Sequence, residues 1–99
     1  MYAVVRETTF DPEKRAQGDA QVQEFAQIRA RQPGYRGSLS VDAGDGRGFT
    51  ITLWETSEQF EAARARLEPE AQRLMGPLWT APSRVLAGGT VSYDDLTRG

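Results

Sequence analysis

The side chains best suited to chemistry in this sequence lie at alternate positions of one short segment. Thr50, Thr52 and Trp54 share one face if that segment is a strand. The indole can stack on an aromatic ring, and the threonine hydroxyls can donate or accept hydrogen bonds. Arg6 or Arg36 could hold an anionic oxygen, because a guanidinium stays charged. Two tyrosines are further candidates for the same site: Tyr2 and Tyr93.

The absence of two residue types excludes much familiar enzyme chemistry. The chain has no cysteine, which excludes disulfides, thiolate nucleophiles and Cys-ligated zinc or iron–sulfur sites. It has no histidine, which excludes an imidazole base, a Ser-His-Asp triad and His-ligated haem or zinc. We therefore expect no metal site. A general base would have to be a carboxylate, and Glu7 or Asp42 would need a pKa raised by burial.

The composition is that of one small domain with a thin apolar core. Hydrophobic residues make up 38% of the 99 residues, but only 19 are Leu, Ile, Val or Phe. Because the net charge is only −2, a compact fold is expected rather than disorder. The shortage of large apolar side chains favours an oligomer, which can bury what one subunit cannot.

Nothing in the sequence indicates a membrane or a nucleic acid as a partner. There is no run of about 18 apolar residues and no signal-peptide pattern. Eleven of the 12 basic residues are arginines, and they are spread among carboxylates rather than clustered. We expect a soluble protein, with the cytoplasm as its default location.

Periodicity and turn residues predict the first half of the chain. Residues 2–10 are rich in β-branched and aromatic side chains and read as a strand that ends at Asp11-Pro12. Pro12 could open a helix, but Gly18 interrupts it, so the first helix is predicted over residues 19–31. Residues 35–43 and 49–55 alternate on either side of a glycine-rich turn, which predicts a hairpin.

The second half predicts one more helix and one more strand. Thr56 is a helix N-cap with Gln59 three residues later, and apolar residues then recur at helical spacing. Pro69 is expected to end or kink this helix. A last strand is predicted in two pieces, residues 84–87 and 90–93, broken by a bulge at Gly88-Gly89. We expect one domain over residues 1–93 and a loose tail over 94–99.

The order β-α-β-β-α-β predicts an α+β, ferredoxin-like fold, in which a four-stranded antiparallel sheet carries both helices on one face. The set expected to face the helices is apolar, and Thr50, Thr52 and Trp54 are then expected on the bare face. An exposed tryptophan there would leave on the order of 200 Å² in water. We therefore expect a homodimer in which the bare faces meet around a cavity. The apolar set is Leu39, Val41, Ile51 and Leu53.

Three short motifs resemble the antibiotic biosynthesis monooxygenase family, a dimeric α+β barrel. They are Pro-Gly-Tyr-Arg-Gly over residues 33–37, Trp-Glu-Thr over 54–56, and Phe60 six residues after the tryptophan. The resemblance spans roughly residues 1–93. It implies a role among cofactor-independent oxygenases of polyphenolic quinone precursors, haem-degrading oxygenases, isomerases or members without assigned activity, and the fold alone does not choose among these.

The resemblance implies roles for individual residues. It places Trp54 in the barrel cavity, Thr50 where oxygenase members often carry an asparagine, and Phe60 where a tyrosine can stand. The haem-degrading branch is rejected because its iron ligand is a histidine from the second helix, where this chain offers Arg64.

Two functions follow from the resemblance. The first is an oxygenase that needs no cofactor and acts on an aromatic small molecule: a phenol is deprotonated, its anion passes an electron to oxygen, and the protein stabilises charge and excludes water. Arg6 or Arg36 would hold the phenolate, Trp54 would stack on its ring, and Thr50 or Thr52 would donate a hydrogen bond. The second is a non-catalytic binding or accessory dimer of the same fold.

Overall fold

Four strands form one antiparallel sheet in the order β2-β3-β1-β4. The computed structural model describes residues 1–96, and the predicted α+β, ferredoxin-like fold is confirmed. The elements are β1 (Tyr2–Phe10), α1 (Pro12–Gln17), α2 (Asp19–Ala30), β2 (Tyr35–Gly44), β3 (Arg47–Trp54), α3 (Ser57–Leu74), a 3₁₀ turn (Gly76–Leu78) and β4 (Trp79–Thr90).

The short helix α1 is an addition to the predicted order, which becomes β-α-α-β-β-α-β. Asp11 is its N-cap, and its Oδ1 accepts hydrogen bonds from the amides of Glu13 and Lys14 at 3.0 and 3.3 Å. Pro12 occupies the first turn, where its missing N–H costs nothing. Gly18 separates α1 from α2, as its position in the sequence predicted.

Helix α3 begins where the sequence predicted but does not stop at Pro69. The Thr56 hydroxyl accepts a hydrogen bond from the Gln59 amide at 3.1 Å, which caps the helix. The helix continues past Pro69 as far as Leu74, so an end at Pro69 is wrong. Buried Leu67 and Leu74 anchor the helix on both sides of the proline, and this packing outweighs the loss of one backbone hydrogen bond.

Strand β4 is longer and more continuous than predicted. It starts at Trp79, and Gly88 and Gly89 pair in regular register with Val4 and Ala3, so the predicted bulge is not there. The register shifts instead at Leu86, which the pairing on either side leaves without a partner, and at two further points nearer the start of β4. Gly88 is needed for close approach, because a Cβ would lie 2.5 Å from the Tyr2 hydroxyl.

The described C-terminal residues, 91–96, follow the last strand. Strand β4 ends at Thr90, three residues before the predicted end of the domain. Of the predicted tail, residues 97–99 lie outside the described residues. Within residues 1–96, no helix has the length and apolar character needed to cross a membrane.

The two faces of the sheet are the reverse of those predicted. Trp54 is only 1% exposed and packs with Val4 and Phe60 beneath the helices, whereas Leu39 on the opposite face is 50% exposed. Strand alternation separates two sets of side chains but does not say which set meets the helices. The outer face is therefore the apolar one, and its members include Leu39, Val41, Ile51 and Leu53.

Candidate functional site

A cavity of about 1090 Å³ lies between the inner face of the sheet and the helices of the same subunit. The cavity predicted between two paired sheets would require a second subunit, and it stays a prediction. Strands β1 and β3 supply its floor, and helices α2 and α3 supply its walls. The residues that line the cavity include Arg6, Thr50, Thr52, Trp54, Phe60, Arg64, Leu67, Glu68, Trp79 and Ser83.

One end of the cavity is aromatic and closed. The Trp54 ring packs edge-on against Phe60 and Tyr35, with centroids 5.8 and 5.4 Å away. Its indole N–H donates to the Thr52 hydroxyl at 2.9 Å. Because the ring is almost fully enclosed by its own subunit, Trp54 closes this end of the cavity and does not cover a dimer interface.

The cavity lining also contains cationic side chains. Arg6 extends from β1 and donates to the Ser83 hydroxyl at 3.4 Å. The pKa of Arg6 is lowered, first by burial and then by the positive charge of Arg64, while Glu68 acts in the opposite direction. Arg6, Arg64 and Glu68 thus interact electrostatically across the space between β1 and α3.

The structure brings five of the eight residues named from the sequence to this cavity: Arg6, Thr50, Thr52, Trp54 and Phe60. The other three lie elsewhere. Arg36 is half-exposed and pairs with Glu55 at 3.1 Å. Tyr2 packs against Phe60 with ring centroids 6.0 Å apart, behind the cavity wall. Tyr93 is 80% exposed beside Met1 at the far end of the chain's fold.

Glu7 and Asp42 were considered as general bases, a role that would need a pKa raised by burial. Glu7 lies on the outer face, where Arg47 and Arg84 bind it at 2.7 and 3.0 Å. These bonds lower the pKa of Glu7, with the hydrogen bond from Arg47 as the largest cause. The expected upward shift of the Glu7 pKa is therefore wrong. Asp42 lies at the rim, and its Oδ1 accepts a hydrogen bond from the Gly44 amide at 2.9 Å.

Sequence reasoning missed a carboxylate that lines the cavity from the helix side, Glu68. Arg64 lies four residues after Phe60 on α3, and Glu68 lies eight residues after Phe60. Positions i, i+4 and i+8 share one helix face, so this spacing could have placed both side chains beside Phe60. Trp79, the first residue of β4, also lines the cavity. Its indole nitrogen is buried in the cavity wall without a hydrogen-bond partner among the described residues.

The antibiotic biosynthesis monooxygenase family matches residues 1–73 of this chain. The chain belongs to that family. The match includes β1, β2, β3 and nearly all of α3, and with them most of the cavity lining. The resemblance inferred from the three motifs is therefore confirmed.

Solved structures of other proteins share the fold at low identity. SnoaB, a cofactor-independent oxygenase from Streptomyces nogalater, aligns with a TM-score of 0.72 at 23% identity over 95% of both chains. A protein of unknown function from Nitrosomonas europaea aligns with a TM-score of 0.77 at 10% identity, over 99% of this chain and 95% of that one. Rv0793 from Mycobacterium tuberculosis aligns with a TM-score of 0.72 at 15% identity, over 96% of this chain and 98% of that one. No curated protein sequence matches the chain.

Proposed function

We propose that this family member is a cofactor-independent monooxygenase that oxidises an aromatic or polyphenolic small molecule. The observation that carries the proposal is the cavity within one subunit, which is lined by the aromatic rings of Trp54 and Phe60 and by the guanidinium of Arg6. Its volume of about 1090 Å³ is sufficient for a polycyclic ligand. The similarity to SnoaB supports the reaction class.

The proposed reaction balances without a bound cofactor. A phenol or anthrone loses a proton, and its anion transfers one electron to dioxygen. The two radicals then combine at a ring carbon to form a peroxide anion, which takes back the proton and becomes a hydroperoxide. The hydroperoxide loses water and leaves a quinone. The substrate thus loses two hydrogen atoms, one oxygen atom enters the product, and the other leaves as water.

In this reaction some cavity residues stabilise charge or accept the proton, and others position the substrate ring. Arg6 stabilises the phenolate, because its partly buried guanidinium is positively charged and, among residues 1–96, is bonded only to a neutral hydroxyl. Thr50 lies beside it across the β1–β3 pairing and supplies a hydrogen bond to a substrate oxygen. Glu68 on the facing helix is the carboxylate placed to accept the proton. Phe60 and Trp54 hold the ring at the aromatic end.

A second function, binding without catalysis, is favoured by a different observation. The Trp54 indole and the Thr52 hydroxyl already satisfy each other at 2.9 Å. Thr50 and Phe60 stand where an asparagine and a tyrosine occur in oxygenase members, so an amide and a phenol are missing. A protein that keeps the cavity and loses these groups would bind an aromatic molecule without oxidising it.

Oxygen uptake separates the two functions. Purified protein is incubated with a panel of hydroquinones and anthrones in an oxygen electrode cell, together with Arg6→Met and Arg36→Met variants. The oxygenase function predicts uptake above the buffer rate, loss of that uptake in Arg6→Met, and its retention in Arg36→Met, because Arg36 lies outside the cavity. Saturable binding without uptake by the wild type would establish the binding function instead.

The outer face of the sheet supports a homodimer, which completes the proposal. Members of this fold family are typically dimeric. Leu39 and Val41 are about half exposed on that face, at 50% and 49%, and Ile51 and Leu53 lie beside them on β3. Large exposed apolar patches mark interaction surfaces. A second copy of the same face would cover the patch with two-fold symmetry.

A further inference from the structure

The cavity differs in charge from the rest of the chain. The whole chain carries a net charge of −2, but the cavity lining holds six arginines and three carboxylates. Half of those arginines form hydrogen-bonded ion pairs with acidic residues that do not line the cavity: Arg15 with Asp19, and Arg47 and Arg84 with Glu7. The remaining three, here called the inner arginines, are Arg6, Arg29 and Arg64.

The inner arginines have few acceptors. Ser83, at 3.4 Å, is the one hydrogen-bond partner of the Arg6 side chain within the described part of the chain. Arg29 donates to the Ser38 hydroxyl at 3.2 Å, and its buried Nε has no partner among residues 1–96. The nearest carboxylate oxygen to Arg64 belongs to Glu61 at 3.9 Å. Each guanidinium offers five N–H donors, so most of their donors remain available to a ligand.

Arg6 is partly buried and has no carboxylate bonded to it among residues 1–96, and a bound anion would offset the cost of burying its charge. Arg64 already disfavours the charge on Arg6, which lowers the Arg6 pKa beyond the effect of burial. Glu68 offsets only part of this, since its effect on the Arg6 pKa is smaller than that of Arg64. An anionic ligand near Arg6 and Arg64 would satisfy donors on both side chains at once.

We propose that the cavity selects an aromatic acid: a ring system that carries a carboxylate or a comparable anionic group, held by Arg6 and Arg64 while the ring lies toward Phe60. The proposal rests on the proposed function, because it names the substrate class of the same site. It adds Arg64 as a specificity-determining residue. It also predicts that neutral phenols of the same size bind less tightly than their carboxylated analogues.

The test compares two ligands that match in shape and differ in charge, 2-naphthoate and 2-naphthamide. Calorimetry measures the dissociation constants for the wild type, Arg64→Met and Arg6→Met. Arg66→Met is the control, because Arg66 lies on the same helix, bonds Gln32 at 3.4 Å and does not line the cavity. Neither ligand has a phenol, so this result is independent of oxygen uptake.

We expect the wild type to bind naphthoate about tenfold more tightly than naphthamide, the effect of one charge-assisted hydrogen bond. Arg64→Met should reduce that ratio at least threefold, and Arg66→Met should leave it unchanged. Arg64 is half-exposed, so its replacement should leave the fold intact, which circular dichroism checks. A wild-type ratio near one, no binding of either ligand at millimolar concentration, or a preference that persists in both cavity variants would overturn the proposal.

Discussion

The indole nitrogen of Trp54 donates a hydrogen bond to the hydroxyl of Thr52, two residues earlier on the same strand, at 2.9 Å. The bond forms because both side chains leave the same face of β3. It satisfies a donor that is otherwise enclosed, since Trp54 is only 1% exposed. The aromatic end of the cavity is therefore already paired before any ligand arrives.

Thr52→Val should destabilise the protein by about 1–3 kcal/mol, because it leaves a buried indole N–H without an acceptor. Thr50→Val is the matched control: it makes the same change on the same face of the strand, and the indole is not bonded to it. Urea unfolding measures both variants. Equal losses for the two would show that the indole bond contributes nothing specific.

Glu7 predicts a pH dependence of stability. Its pKa in the folded protein is lowered, with the hydrogen bond from Arg47 as the first cause. A carboxyl with a lowered folded-state pKa stabilises the fold fully above its ordinary pKa of 4.5 and loses this contribution as the pH falls through the folded-state value. Glu7→Gln should thus be less stable than the wild type at neutral pH and should match it in acid.

The control for Glu7 is Glu55→Gln, which removes a carboxylate from the exposed pair with Arg36. Exposed pairs contribute little, so this variant should follow the wild-type curve closely. Denaturant unfolding over a pH series gives all three curves. A Glu7→Gln deficit that grows toward acid pH would contradict the sign of the pKa shift.

The outer face predicts a variant that separates the dimer. Leu39→Lys places a charge in the middle of the apolar surface, where a second copy would have to bury it. Sedimentation equilibrium should show a wild-type dimer and a folded Leu39→Lys monomer. Leu96→Lys is the control, because Leu96 is equally exposed, at 53%, but lies beyond β4. A monomeric wild type would refute the dimer.

Thr50 predicts a gain of activity. Asparagine at this position has a separate amide donor and carbonyl acceptor, so Thr50→Asn offers a better hydrogen bond to a substrate oxygen that becomes negatively charged. We expect an increase in oxygen uptake on the order of tenfold, and Thr50→Val should decrease it. If both variants match the wild type, Thr50 does not contact the substrate.

The sequence predicted the elements that depend on local signals. The Thr56 cap, the hairpin around the glycine-rich turn and the order of strands and helices all follow from short-range turn chemistry and periodicity. The family resemblance followed from residues of these same elements and is confirmed by the match over residues 1–73.

Features that depend on tertiary packing were not predictable in this way. Alternation placed the Trp54 and Leu53 side chains on different faces of the sheet but could not decide which face meets the helices. The more apolar set was predicted to face them. Pro69 remains helical because buried leucines hold α3 on both sides of it. The cationic part of the cavity lining combines Arg6 from β1 with Arg64 from α3, a pairing that no local pattern joins.

The central claim is that an aromatic molecule binds in the cavity between the sheet and the helices of one subunit. The side chains of Trp54 and Trp79, the two tryptophans of the chain, both line that cavity, so their indole N–H signals report on it by nuclear magnetic resonance. Titration of ¹⁵N-labelled protein with anthrone should shift both signals along one saturable curve with a common dissociation constant. If neither signal moves at millimolar ligand while signals of the outer sheet face do, the cavity is not the binding site.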